Sequence, residues 1–347
     1  MSTARPRISV IIIAHQRTEY LLDAIKSVVN QTLPRDEYEI VVVKDFQLPS
    51  IDEYLDQHSI AHVDFPTTTS TAGAMFRAGV ERSSGDIVCF LDDDDKFHRQ
   101  KLSYVVSLFD ARPDVGYIHS RQRFVDSNGV PLAAQPLHSH RGHVKRIEFR
   151  SPTDYATADV RCGIAFNTSS IHIRREVLAP WLGPLDRVEV ICDNFLGLIA
   201  LLSGTGLLCT DEILSDYRLH GAGTSGAHVA GSQVEYFASR RTYYKRVLDD
   251  TEFFLGLIRG TVAEPSIRYF HEYCAALYEL SDDQPHRRPV GRALLQLLRS
   301  PHQFVMYTIR PFDAVSFATF LLTYLSIPGM AKSAYFRGKK IASLFST

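Results

Sequence analysis

Cys89-Phe90-Leu91-Asp92-Asp93-Asp94-Asp95 runs three apolar residues straight into four carboxylates. Asp86-Ile87-Val88 precedes them, so Asp86–Leu91 reads as a buried strand that delivers the acids at its carboxyl end. Open α/β sheets bind ligands at that edge. Four like charges packed together repel one another unless a cation is held among them. Hard carboxylate oxygens suit Mg²⁺ or Mn²⁺, ions that bridge protein carboxylates to a diphosphate. The plainer alternative is a solvated acidic turn capping the helix that follows.

The flanking sequence has the rhythm such a strand needs. Ile8–Ile13 is a β-branched run, and Leu21, Leu22, Ile25, Val28 and Val29 follow at helical spacing. Glu39–Val43 repeats the strand signal, Ile51 and Leu55 mark a short helix, and Ala61–Phe65 reads as a third strand. Ala72–Arg82 and Arg99–Phe109 read as helices. Continuous apolar strands alternating with amphipathic helices imply a parallel sheet covered on both faces, with right-handed crossovers. Beyond Pro113 the pattern changes. Tyr117–Val125 followed by Asn128-Gly129 predicts a hairpin through a type I′ turn. The stretch from Gln135 to Arg146 reads as a polar loop; His138, His140 and His143 lie in it without further zinc ligands in view. Ser169–Arg174 reads as a strand and Asn194–Leu202 as a helix. From Val229 the chain is expected to be helical, over Tyr236–Leu248, Ser266–Leu280, Arg288–Arg299 and a last apolar segment.

In their order along the chain these blocks resemble the GT-A-fold glycosyltransferases of family 2 type. Ile8 through Arg17 looks like the first strand and nucleotide loop, and Leu21 through Asn30-Gln31-Thr32 like the helix after it. Glu39–Val43 with Asp45 resembles the second strand and its base-contacting acid. Ala72–Gly79 and Ser84 through Asp95 resemble the helix, strand and DXD motif. The resemblance covers residues 8 to about 225. It implies an α/β fold: a Rossmann-like GT-A nucleotide-sugar domain with a mixed sheet over 1–228, plus a C-terminal helical region over 229–347. Residues 1–112 would be the nucleotide-binding half and 113–228 the acceptor half.

Carried over residue by residue, the resemblance implies that Ala14, His15 and Arg17 wrap the nucleotide and that Asp45 contacts its base. Asp92 and Asp93 would lie on the nucleotide side, and Asp94 would ligate Mn²⁺ or Mg²⁺. Lys44 stands where the family carries an acid, and Arg77 where it carries Asn; Arg77 is read as reaching the sugar or a phosphate. The family's acid pair at the start of an acceptor-side helix falls on Cys192-Asp193, which makes Asp193 the candidate base for deprotonating an acceptor hydroxyl. An Asp there is also a common helix cap. Asp216 through Ser225 resembles a further family segment, in which Arg218 and His220 would meet the diphosphate and His220 would complete the metal shell. The implied activity is inverting transfer from a nucleotide-diphosphate sugar, of UDP type, to a glycan or lipid-linked acceptor. The alternatives are a sugar-1-phosphate nucleotidyltransferase, whose Gly-rich basic N-terminal loop His15-Gln16-Arg17 does not supply, and a non-catalytic nucleotide-sugar-binding module. No P-loop lysine pattern or GxGxxG occurs, which argues against kinase and dehydrogenase chemistry.

Charge sharpens the division of the chain. From Gln284 onward nine basic residues stand against a single acid, Asp313, a net +8; the rest of a chain whose total is −1 therefore carries −9. A near-neutral total excludes a surface built around nucleic acid. Arg288, Arg292 and Arg299 share one helical face opposite Leu294, Leu297 and Leu298. Ala314–Ala331 is free of charge for 18 residues, but Pro328-Gly329 shortens any helix there to ~21 Å, less than the ~30 Å of a bilayer core. Lys332, Arg337, Lys339 and Lys340 follow it. The expectation is peripheral contact with an anionic membrane rather than a span, with docking on the acidic body or an oligomer contact as the alternatives. Five scattered cysteines without a CxxC pair, and a first apolar run too short for a signal peptide, place the expected site at the inner, cytoplasmic face of the membrane.

Overall fold

The computed structural model describes residues 5–66, 71–132, 145–147, 162–220 and 233–282, with isolated positions at 150, 151, 154, 158, 291 and 295. The chain divides into two compact units. One comprises Met1–Val125, His138–Glu148 and Arg161–Arg218; the other comprises Asp126–Leu137, Phe149–Val160 and Leu219–Thr347.

The first unit is built on one mixed sheet of nine strands. Four run parallel in the order β3 (Ala61–Asp64), β2 (Tyr38–Lys44), β1 (Ile8–Ala14), β4 (Ile87–Asp92). Every residue of β1 is buried, as a strand covered on both faces requires. Val10 and Ile12 pack with Leu21, Ile25 and Val28 of α1 (Leu21–Val29) and Val105 and Phe109 of α4 (Lys101–Ala111). The alternate residue Ile11 meets Gly79 of α3 (Ala72–Arg82), which also carries Phe76, tilted against Phe90. The short α2 (Pro49–Gln57) buries Ile51 and Leu55. These elements fall where the hydrophobic spacing puts them.

Past β4 the sheet turns mixed. β8 (Ile171–Arg174) pairs antiparallel to β4, with Cys89 opposite His172. β6 (Val115–Val125) pairs antiparallel to β8 and parallel to β9 (Gly206–Arg218). The two-residue β5 (Lys96–Phe97) and β7 (Lys145–Ile147) pair antiparallel to β9. Gly206–Arg218 was not expected as a strand. Among the described residues no strand pairs with β6 across Asn128-Gly129 to form the expected hairpin; its partners are β8 and β9. Of Asn128 and Gly129 only Gly129 has positive φ, so the type I′ geometry is absent. Instead the Asp126 carboxylate accepts from the backbone N–H groups of Asn128 (2.9 Å) and Val130 (2.8 Å) and closes a local turn. The helix expected from Asn194 begins at Cys192, as α5 (Cys192–Leu202).

In the second unit α6 (Gln233–Leu257) and α7 (Glu264–Leu280) form a pair. Arg241 bonds Asp282 (2.7 Å) and Tyr278 (3.2 Å), and Thr251 bonds His271 (2.8 Å). The loop histidines 138, 140 and 143, the basic helix from Arg288 and the apolar segment from Ala314 lie outside the described residues. Among the described residues no helix is long and apolar enough to cross a membrane, and all five cysteines are buried and free of disulfides.

Candidate active site

Strand order alone fixes where a site can form. β1 lies between β2 and β4, with Ala14 opposite Lys44 and Ile13 opposite Asp92. The carboxyl ends of three strands therefore release 14–17, 44–45 and 92–95 side by side, where the order of connection reverses. β8 runs antiparallel to β4, so the residues that enter β8, Asn167–Ser170, arrive at the same edge. β9 runs parallel to β6 and brings Arg218 there.

The acids converge as their spacing implied. Ligand atoms of Asp92, Asp94 and Asp95 lie within 4.8 Å of one another, the arrangement of a cation site. Burial, and then the neighbouring carboxylates, hold Asp92 and Asp95 well above the usual carboxylate range; burial does the same to Asp93, against the pull of Arg17. Asp95 Oδ2 and Asp93 Oδ2 are buried without a hydrogen-bond partner. Four carboxylates that outnumber the Arg17 guanidinium bound to two of them, with two orphaned oxygens among them, fit a hard divalent cation on oxygen ligands. The acids do not form a solvated turn: Asp93 and Asp95 are at most 2% exposed.

Each acid is held from behind. Thr168 Oγ1 lies 2.8 Å from both oxygens of Asp92. Ser169 Oγ accepts from the Asp92 N–H (3.1 Å) and also bonds Asp95. Asn167, at φ 60°, accepts from Ser169 N through its side chain and gives its own N–H to Asp193 Oδ2 (3.1 Å). Beneath this turn the fully buried Lys101 donates to Ser169 O (2.5 Å) and lies 4.0 Å from the Phe97 ring centroid. Burial pulls its pKa down to about 7. None of Thr168, Ser169 or Lys101 was singled out from sequence. The signal was the run Asn167-Thr168-Ser169-Ser170, four hydrogen-bonding residues ahead of a strand.

Asp193 lies in the first turn of α5, not at its cap: Ile191 holds the cap position without a side-chain bond. Its Oδ1 accepts from Asn194 N (2.9 Å), and burial raises its pKa. It is close enough to Asp92 for its charge to push Asp92 upward.

Arg17 reaches the acids directly, with Nη2 on Asp93 and Nη1 2.6 Å from Asp94 Oδ2. Asp45, whose side chain is fully buried, takes His15 Nδ1 (2.6 Å) and Gln16 N (2.8 Å), so in this structure it braces the loop that carries Arg17. The loop continues from Ala14, whose carbonyl accepts the Asp45 N–H. Lys44 is equally buried, and its ammonium is taken by Asp52 (3.0 Å) and Asp64. Arg77 of α3 pairs with Glu81 (2.8 Å) of the same helix and with Asp186 (3.6 Å). Arg218 gives its backbone N–H to Asp95 Oδ1 (3.0 Å) and its Nε–H to Asp94 O (2.9 Å), with the guanidinium 4.2 Å from the Tyr20 ring centroid. It therefore supports the backbone of the acidic turn. His220, expected to complete the metal shell, is buried and belongs to the second unit, and 221–232 lie outside the described residues.

Residues 9–179 match the family model described as glycosyl transferase family 2. A relative from Nostoc sp., the uncharacterized glycosyltransferase alr2836, is 30% identical over 233 residues, 62% of this chain and 66% of that protein. Matches to further relatives span from 20% to 41% of those proteins' lengths. Among solved structures, TarS 1-349 of S. aureus in complex with UDP-GlcNAc superposes with a TM-score of 0.52 at 13% identity, over 96% of this chain and 92% of that one. The mannosyltransferase PcManGT of Pyrobaculum calidifontis, in complex with GDP-Man and Mn²⁺, gives 0.52 at 18%, over 99% and 87%. At those identities the likeness is one of fold.

Proposed function

We propose, from the premise that this chain belongs to glycosyl transferase family 2, that it is a metal-dependent inverting glycosyltransferase. It moves a hexose from a nucleoside-diphosphate sugar, of UDP type, to a hydroxyl of a glycan or lipid-linked saccharide. The observation that carries this reading is the convergence of Asp92, Asp94 and Asp95 at the edge where β1, β2 and β4 end, with Asp193 alongside. Solved proteins of this fold hold UDP-GlcNAc, or GDP-Man with Mn²⁺.

Asp92, Asp94 and Asp95 would hold Mn²⁺ or Mg²⁺. The ion supplies charge neutralisation of the departing diphosphate. Asp193 takes the acceptor hydroxyl proton as the acceptor oxygen bonds the anomeric carbon; the bond from that carbon to the diphosphate oxygen breaks on the opposite face, which inverts the centre. Burial raises the basicity of Asp193, and the Asn167 and Asn194 N–H groups fix its direction. The +8 of the last 64 residues supports work at an anionic membrane surface, where a lipid-linked acceptor is presented.

The test is release of nucleoside diphosphate from a panel of nucleotide sugars with Mn²⁺, for the native chain, Asp94→Ala and Asp193→Ala. Both variants should lose transfer, Asp193→Ala by about 10²–10⁴-fold, and only Asp94→Ala should lose most nucleotide binding. Unchanged transfer in Asp94→Ala overturns the metal assignment. Tight nucleotide-sugar binding without transfer identifies a binding module instead.

A further inference from the structure

Arg17 occupies a place the reaction cannot leave to it. Its guanidinium spans Asp93 and Asp94, taking one oxygen of a carboxylate that belongs to the cation-holding group. The contact is built in. Asp45 locks the preceding two residues through His15 Nδ1 and Gln16 N, and Gln16 sits at φ 55°, a conformation a non-glycine residue adopts only when its surroundings fix it. The loop is therefore set so that the next side chain falls on the acids. Asp93 is 2% exposed and Arg17 draws its pKa down against burial, so the guanidinium also offsets the burial of that charge.

Resting on the reading of the site above, we propose that Arg17 is the resident counter-cation of the acid cluster and a positioning residue that couples the metal to the nucleoside diphosphate. A divalent cation and a guanidinium compete for Asp94 Oδ2. The metal alone must displace the Arg17 contact with Asp94 and leaves the guanidinium with Asp93 but no replacement for that second anion. A diphosphate arriving with the metal offers the planar fork the bidentate partner it favours. Each ligand then favours the arrangement the other needs, and by linkage the coupling is the same in both directions. Metal and donor load together, and the vacated diphosphate returns Arg17 to the acids.

The test is calorimetric titration of the full chain with Mn²⁺ alone, with UDP alone, and with each in the presence of the other, for the native protein, Arg17→Gln and Arg17→Lys. In the native protein UDP should raise Mn²⁺ affinity by about tenfold or more. In Arg17→Gln, Mn²⁺ alone should bind about tenfold tighter, UDP should bind more weakly, and the mutual enhancement should shrink towards one. Arg17→Lys, a point charge unable to hold both acids at once, should fall between. The same series read by thermal unfolding guards against a misfolded variant: Arg17→Gln should melt lower than the native protein without metal and gain more from added Mn²⁺. Unchanged or weaker binding of Mn²⁺ alone by Arg17→Gln, in a native protein that binds both ligands, overturns the inference while sparing the site. A native protein that binds neither Mn²⁺ nor any nucleoside diphosphate removes the site and this inference with it.

Discussion

Asp92 and Asp95, two of the acids proposed to hold the metal, are themselves held by neutral hydroxyls, and that choice is informative at the level of the residue. Thr168 Oγ1 stands 2.8 Å from both Asp92 oxygens, so it orients the carboxylate without cancelling the charge a cation needs. Thr168→Val keeps the shape and removes this contact; Mn²⁺ affinity should fall by about 10–100-fold, as for other groups that orient metal ligands, with little change in the far-UV spectrum. Lys101 beneath them behaves differently. Its pKa of about 7 lies below its ordinary 10.5 because it is buried. Between those values the unfolded chain keeps a proton that the folded chain has lost, so stability rises with pH across that window; below about 7 folding bears the full cost of burying an ammonium. His172, also driven well below its ordinary value by burial, acts in the same sense below pH 6.5. Lys101→Met should remove up to about 1.4 kcal/mol per pH unit from the slope of unfolding free energy between pH 7 and 9, a difference from the native protein in which the opposite-signed titration of Asp92, Asp93 and Asp95 cancels. An unchanged slope would assign the effect elsewhere.

Among the elements, α3 links the two halves of the site. Its cap, Thr71, accepts from Ala74 N (3.0 Å) and donates to Asp186 O (2.7 Å), and the Gly73 N–H donates to Val188 O (2.9 Å). The first turn of α3 is thereby fastened to the segment that leads into Asp193. A Cβ on Gly73 would lie 1.8 Å from the Leu185 carbonyl oxygen, a backbone atom that cannot swing away. Gly73→Ala should cost about 1–3 kcal/mol in denaturant unfolding and lower turnover more than donor affinity, because the displaced segment carries the proposed base, Asp193, and not the proposed metal ligands. Legibility from sequence follows the same division. β1, β2 and β4 announce themselves because parallel strands covered on both faces are unbroken apolar runs, and their carboxyl ends then place Asp92–Asp95, Asp45 and Arg17 without further information. β9 does not: Thr210-Asp211-Glu212 interrupts its apolar run near two register shifts against β6, so neither an unbroken nor an alternating pattern survives. β5 owes its two residues wholly to pairing with β9. The Thr168–Ser170 turn, a single 3₁₀ turn, has no periodicity to read, and the burial of Lys101 and Lys44 runs against composition. Asp45 shows the limit most plainly: its position was legible, yet its brace on His15 and Gln16 depends on a partner loop 29–30 residues away.

At the scale of the whole molecule, the near-zero charge is a sum of a −9 body and a +8 C-terminal segment. The two halves of that sum have different fates. On the proposed reading four of the body's acids, Asp92–Asp95, belong to a site that takes up a cation, which would neutralise part of the −9. The segment's own charges gain most from a surface of opposite sign, about 1 kcal/mol for each Lys or Arg brought to an anionic leaflet, an effect screened over ~8 Å at physiological salt. The full chain should therefore co-sediment with vesicles containing phosphatidylglycerol and not with phosphatidylcholine vesicles, and 0.5 M NaCl should release it. Reversing Arg337, Lys339 and Lys340 to Glu should weaken the association sharply while leaving Mn²⁺-dependent hydrolysis of the nucleotide sugar unchanged, since none of the three belongs to the acid cluster. Equal recovery with neutral vesicles would assign the attachment to apolar contact along Ala314–Ala331; no recovery with either, together with salt-sensitive thermal unfolding, would place the basic segment on the acidic body instead.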